Sequence, residues 1–286
     1  GYNGIISTLL KWFPDRMGFV SGLMLMGFGC GALLLGTVGS LLLAELGWRA
    51  TFLILGVFYA VLILGLSFFI VPPPKNLSFP KAGGSKKKVT ESAGEVPTGQ
   101  MIRRPSFIMY FIWTVVLTAG VLMLIGHATP LALGLGTSAA TAAFLAGMIS
   151  VFNGLGRVIG GIGFDLLGRK TLMRLISLGF ILCALLVYLC LQTGSAAILT
   201  LTFVLVGLFY GCVMPMNATV ISTFYGLKHY SMNFSVITLN IIFASFIGPY
   251  LAGVLHTMRG SYAAMSVAIL IFGVVALALS FMIKRP

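Results

Sequence analysis

Charge is what this sequence has least of. Only 8% of its 286 residues are Asp, Glu, Lys or Arg, whereas a soluble domain carries roughly 25%. So thin a polar shell excludes a water-soluble globule. Acids number five and histidines three. Asp15, Glu45, Glu91, Glu95 and Asp165 all lie outside the middle of any apolar run, and His127, His229 and His256 lie at run ends. An enzyme embedded in a membrane would need acids, histidines or a nucleophile–base pair converging within the bilayer; the runs offer none, and no enzymatic activity is expected. No G-x-x-x-x-G-K-[ST] loop occurs, which argues against ATP as the energy source, and no cofactor is expected. Cysteines are only four, Cys30, Cys183, Cys190 and Cys212, each inside an apolar run and without metal-ligand spacing. They read as small core residues rather than as disulfides or metal ligands.

What the chain does have is apolar length. Hydrophobic residues make up 59%. A membrane span needs about 20 of them in a row, and full spans are predicted at 19–43, 50–71, 106–127, 139–163, 172–192, 197–224, 232–256 and 261–283. Residues 1–10 read as the tail of one more helix. The first residue is Gly, with no basic n-region or cleavage site after it, so the chain is expected to begin inside something larger. The fold class is all-α, a polytopic membrane helix bundle.

Between 72 and 105 the composition changes to "PPPKNLSFPKAGGSKKKVTESAGEVPTGQMIRRP". Rich in Pro, Gly, Ser and Lys and without apolar period, it reads as a flexible linker between two bundles, 1–71 and 106–286. Net charge is +13, but the basic residues sit at the ends of apolar runs, where they anchor and orient helices rather than bind nucleic acid. With the linker placed in the cytoplasm and the spans alternating outward, fifteen of the eighteen Lys and Arg fall on or beside the cytoplasmic side. Only Arg49 and Arg259 fall outside, and Arg157 lies within a span. The positive-inside rule is satisfied, with the C-terminus cytoplasmic and the Asn76 sequon on the unglycosylated side. The lysine run at 86–88 could touch anionic lipid, but a solvated linker is the reading preferred.

An internal repeat is present. "IST" at 6–8 recurs at 221–223, and "LSFFIVPP" at 66–73 echoes "LSFMIKRP" at 279–286. Both copies run helix end, short inside loop, glycine-bearing span, short outside loop, span. Two halves related by parallel duplication and joined by a linker describe a known transporter plan.

Arg157, in "NGLGRVIGGIGFDLLGRK", is the anomaly. A charge at the centre of a span costs about 2.5–3.5 kcal/mol. Eight residues separate Arg157 from Asp165, so it lies about 12 Å above the membrane boundary by helical rise. Two readings are open: an arginine satisfied by carbonyls or side chains of a neighbouring helix, and a guanidinium fork that binds a small carboxylate. Asn153 lies one turn earlier on the same face. Asn217 and Asn240, polar and mid-helix, read as helix–helix hydrogen bonds. Pro215 and Pro249 are expected to break their helices, and Gly27-x-x-x-Gly31 is a weak close-approach signal.

"GGIGFDLLGRK" resembles the G-x-x-x-D-x-x-G-R-K loop of the major facilitator superfamily, which follows its second and eighth helices. "GYNGIISTLLKWFPDRMGFVSGLMLMGFGCG", "GWRATFLILG" and "NGLGR" resemble the oxalate:formate antiporter family within it. The resemblance implies that the chain holds helices five to twelve and the end of helix four. It implies a secondary transporter of small organic anions, expected to be a monomer in the cell membrane with a small carboxylate and membrane lipid as partners. By resemblance Arg157 is the carboxylate-binding arginine of helix eight. The family places cavity aromatics on helices four and ten; Tyr210 matches, with Met214 where a second aromatic is usual, and Tyr2, about 13 Å deep by helical rise, is expected to line the cavity too. Asp165, with Gly161, Gly168, Arg169 and Lys170, forms a conformational latch, its carboxylate expected at the N-terminus of helix eleven near Tyr230 to Asn233.

The family's oxalate transporter also uses a lysine on helix eleven, where this chain has "SMNFSVITLNIIFASFIGPYLAGVL" with no cation. One cavity cation suits a monocarboxylate such as formate, lactate or pyruvate better than oxalate. Proton-coupled relatives carry an aspartate where Asn153 stands. An amide holds no proton, so anion exchange is favoured over proton symport; a non-transporting receptor on the same fold is the other alternative.

Overall fold

The computed structural model describes residues 2–13, 16–71, 74, 94–259 and 262–285, with the side chains of 2–4, 7, 28–37, 39–41 and 44 outside the description. Among the described residues ten helices follow in order: α1 (Tyr2–Trp12), α2 (Met17–Ser67), α3 (Thr98–Met101), α4 (Pro105–Gly126), α5 (Ala128–Gly134), α6 (Ala139–Thr193), α7 (Ala196–Tyr225), α8 (Tyr230–Thr238), α9 (Asn240–Arg259) and α10 (Ala263–Met282).

Two of these are too long for one crossing. At about 1.5 Å per residue, the 51 residues of α2 and the 55 of α6 would each reach well over twice the thickness of a bilayer core. Each is in fact two limbs joined at a single glycine, Gly47 (φ 69°, ψ 171°) in α2 and Gly168 (φ 76°, ψ 168°) in α6. A side chain would strain the backbone at such a φ; glycine adopts it freely. The α6 limbs fold back on one another. The Leu208 carbonyl lies against Gly156 and the Phe209 ring against Gly179, positions nearly equidistant from Gly168. The loop expected at 164–171 is therefore a one-residue turn. Divided at these glycines, and with α8 and α9 taken as one interrupted span, the described helices reproduce the eight predicted spans.

The second bundle packs α4, α6, α7 and α10 around Tyr110, Trp113, Phe180 and Phe203, all buried. Several interior polar groups are bonded across helices, which an environment without water favours. Tyr110 Oη donates to Asn217 Oδ1 at 2.7 Å, Trp113 Nε1 to Ser177 Oγ at 3.1 Å, and Asn240 Nδ2 to Thr118 Oγ1 at 3.3 Å. The helix–helix role expected of Asn217 and Asn240 is thus observed. The proline breaks are not. Pro215 and Pro249 lie inside α7 and α9, and the interruption of the span made by α8 and α9 falls at Leu239. Cys183, Cys190 and Cys212 are buried free thiols; the Cys30 side chain lies outside the description.

The second limb of α2 is the more exposed. Only 6% of the apolar window in Glu45–Ser67 is buried, against 61% in Pro105–Gly126. Most of the linker, and with it Asn76 and the lysine run, lies outside the described residues. Its described end adds one short element unsignalled by periodicity, α3.

Candidate functional site

Small residues bring α2 against the first limb of α6. A Cβ on Gly161 would run into the Gly18 carbonyl, and one on Gly22 into the Arg157 carbonyl. The helices run antiparallel here, since Gly18 faces Gly161 while Gly22, further along, faces Arg157. On the other side α7 meets α6 through Gly207 and Gly211, whose Cβ positions are filled by the carbonyls of Ile149 and Asn153. Missing side chains thus set the α6 face that carries Asn153 and Arg157 between two close neighbours.

At that junction Arg157 is half-buried. Its Nε donates to Asn153 Oδ1 at 3.4 Å, the one-turn spacing expected, and its Nη1 donates to the Leu25 carbonyl of α2. Tyr210 of α7, also half-buried, is within electrostatic reach of the guanidinium. Three of the four predicted substrate residues, Arg157, Asn153 and Tyr210, therefore share one site. The fourth, Tyr2, opens α1, and its side chain lies outside the description. Sequence reasoning missed Leu25; a backbone carbonyl leaves no signature in residue type.

The latch residues are arranged differently from the expectation. The Asp165 carboxylate is at the N-terminus of α2. Its Oδ1 accepts from Gly18 N at 3.0 Å and its Oδ2 from Phe19 N at 2.8 Å, in the first turn of α2. These are amides without a partner inside their own helix, at its positive end, and Gly18 leaves room for the carboxylate. The N-terminus of α8 is held instead by the linker's end. Glu95 Oε2 accepts from Lys228 N at 2.7 Å, Asn233 Nδ2 donates to the Val96 carbonyl at 3.0 Å, and Thr98 Oγ1 donates to Asn233 Oδ1 at 2.6 Å. Arg169 turns to α10 and α7, donating to the Ile283 carbonyl at 3.0 Å and lying 4.9 Å from the Phe224 ring centre. Gly168 makes the turn, and Lys170 is exposed.

These contacts gather at one end of the bundle. There Trp12 Nε1 donates to the Val71 carbonyl at 2.9 Å, and Val96 N to the Tyr225 carbonyl at 3.0 Å. The end of α1, both ends of the linker, the turn of α6, the α7–α8 turn and the end of α10 lie together.

The family description of the Major Facilitator Superfamily matches residues 2–240. The chain belongs to that superfamily. It is a multi-pass helical protein of a transporter family rather than of an enzyme family. Among its relatives, the "Oxalate:formate antiporter" of Oxalobacter formigenes is 28% identical over 257 residues, which is 88% of this chain and 59% of that protein. The "Uncharacterized MFS-type transporter YhjX" of Escherichia coli (strain K12) is 27% identical over 243 residues, 84% of this chain and 58% of that protein. The chain spans about three-fifths of the length of these relatives.

Proposed function

We propose that the protein is a secondary transporter of small organic anions, working by alternating access and anion exchange, with Arg157 as its carboxylate-binding group. The observation that carries this reading is a half-buried guanidinium deep in a span, bonded to the Asn153 amide and within electrostatic reach of the Tyr210 phenol, at the contact of α2 with α6. Of the five acids, Asp15 and Glu91 lie outside the description, and Glu45, Glu95 and Asp165 lie near helix ends or turns, away from Arg157. An anion entering the site would compete with the Leu25 carbonyl for the guanidinium. Binding would then loosen α2 from α6, which is what links occupancy to the opening of one side. The Oxalobacter relative's name pairs oxalate with formate. With no Lys or Arg in α8 and α9 before Arg259, monocarboxylates such as formate, lactate or pyruvate fit this site better than oxalate.

The basic ends of the spans support a cytoplasmic linker and C-terminus, in a monomer of the cell membrane. Residues 1–71 and 106–286 are then the two bundles, and Asp165 latches them where it caps α2. A second reading rests on the Leu25 bond itself: Arg157 as a structural tie between bundles. Binding and exchange of carboxylates in proteoliposomes separate the two. On the transport reading, Arg157→Ala abolishes binding while insertion and melting stay near those of the unsubstituted protein. Retained exchange with a lowered melting temperature would assign the arginine to structure.

A further inference from the structure

At the basic end of the bundle, a cleft of about 480 Å³ opens between the start of α4 and the end of α10. Arg104, Lys284 and Arg285 stand around it, and Pro105, Met109 and Met282 form its apolar wall. Ser106 also borders it, but the Ser106 hydroxyl is paired with Tyr225 Oη at 3.1 Å. Among the described residues, no acid lines the cleft. The side chains of Arg104, Lys284 and Arg285 make no hydrogen bond or ion pair to another described residue.

The wall is held in place rather than being a loose tail. Arg169 fixes the Ile283 carbonyl, the Ile283 side chain is buried, and Arg174 lies 4.2 Å from the Phe281 ring centre. Lys284 and Arg285 are thus set beside Arg104, one group leaving a span and the other entering one.

We infer that this cleft binds an anionic phospholipid, its phosphate among Arg104, Lys284 and Arg285 and the start of an acyl chain along Met109 and Met282. The juxtaposition of three cations with exposed methionine at the membrane boundary matches both parts of that molecule. A soluble anion would use the cations but not the apolar wall. The chain's own linker is a poor occupant, since it brings Lys75, Lys81, Lys86, Lys87 and Lys88 to an already cationic cleft. A second copy would bring the same three positive charges.

The test uses the intact protein in nanodiscs of phosphatidylcholine with a fraction of phosphatidylglycerol, and native mass spectrometry of the lipid retained on release. The unsubstituted protein should keep phosphatidylglycerol in preference to phosphatidylcholine. Each basic residue near an anionic surface contributes a factor of roughly five, so Arg104→Gln with Lys284→Gln and Arg285→Gln should weaken that preference on the order of a hundredfold. Lys86→Gln with Lys87→Gln and Lys88→Gln should leave it unchanged. A photoreactive residue at Met282 should crosslink to phosphatidylglycerol. No anionic preference, an equal loss from the linker substitutions, or crosslinking of position 282 to the linker or to a second copy would each overturn the assignment.

Discussion

The Asp165 carboxylate closes the first turn of α2, accepting from Gly18 N at 3.0 Å and from Phe19 N at 2.8 Å. One acidic side chain of the second bundle thus satisfies two amides of the first. Because the α6 turn at Gly168 follows three residues later, a hinge and a clasp share one short stretch. On the alternating-access reading proposed above, opening this end would break these bonds, with Gly18 and Gly161 separating at the same time.

Asp165→Asn should weaken the clasp. The amide offers one oxygen where two N–H groups point, and its NH2 faces a donor. Hydrogen bonds to a charged group contribute about 1.5–3 kcal/mol, and the charge at a helix N-terminus a further ~0.3–1 kcal/mol. A cysteine in place of Ser21, fully buried on α2 beside this contact, reports the result. With Asp165 present it should resist a membrane-permeant maleimide, and in the Asp165→Asn protein it should react. Unchanged labelling and an unchanged melting temperature would show that glycine packing alone holds the two helices.

The glycines of α6 provide a contrast within one turn. A Cβ on Gly156 would overlap the Leu208 carbonyl and crowd Gly211, whereas one on Gly154 meets nothing within 4 Å. Gly156→Ala should therefore force α6 and α7 apart and cost about 1–3 kcal/mol. Gly154→Ala should be neutral or stabilising, since alanine is favoured over glycine in a helix interior by about 1 kcal/mol. Melting of the two variants side by side checks this. Equal melting temperatures would mean that the α6–α7 contact yields at no cost.

How much of this was readable beforehand divides by the kind of signal. Span positions were legible because apolar length and end charges are periodic features. The asparagines Asn217 and Asn240 were legible because an amide in lipid has to find a partner. The merging of 164–171 into a turn at one residue was not, because "GRK" after an apolar run looks the same whether the chain leaves the helix or folds sharply at Gly168. Asp165 was recognised as a helix-end partner, but which helix it caps depends on which end remains free. Glu95, Val96 and Thr98 already hold the α8 end, and those residues carry no pattern in a segment that reads as linker. The site was legible as far as Arg157, Asn153 and Tyr210, which helical spacing and type single out. Leu25 and the glycine contacts that bring α2 up to Arg157 are backbone features, visible only in three dimensions.

Asn153→Asp tests the proposed site from the opposite direction to removal of the arginine. Asn153 Oδ1 already accepts from Arg157 Nε at 3.4 Å. A carboxylate at that position, one turn toward the N-terminus, would pair with the guanidinium as an ion pair, stronger than its present bond to an uncharged amide oxygen. At neutral pH it would occupy part of the fork that the substrate is proposed to use, so carboxylate affinity should fall by tenfold or more while folding is preserved. Carboxylate binding and uptake in proteoliposomes at neutral pH, where formate, lactate and pyruvate are anions, is the measurement, alongside a melting curve. If Asn153→Asp binds and transports monocarboxylates as well as the unsubstituted protein, Arg157 is not the group that binds the carboxylate, and its bond to the Leu25 carbonyl is its role.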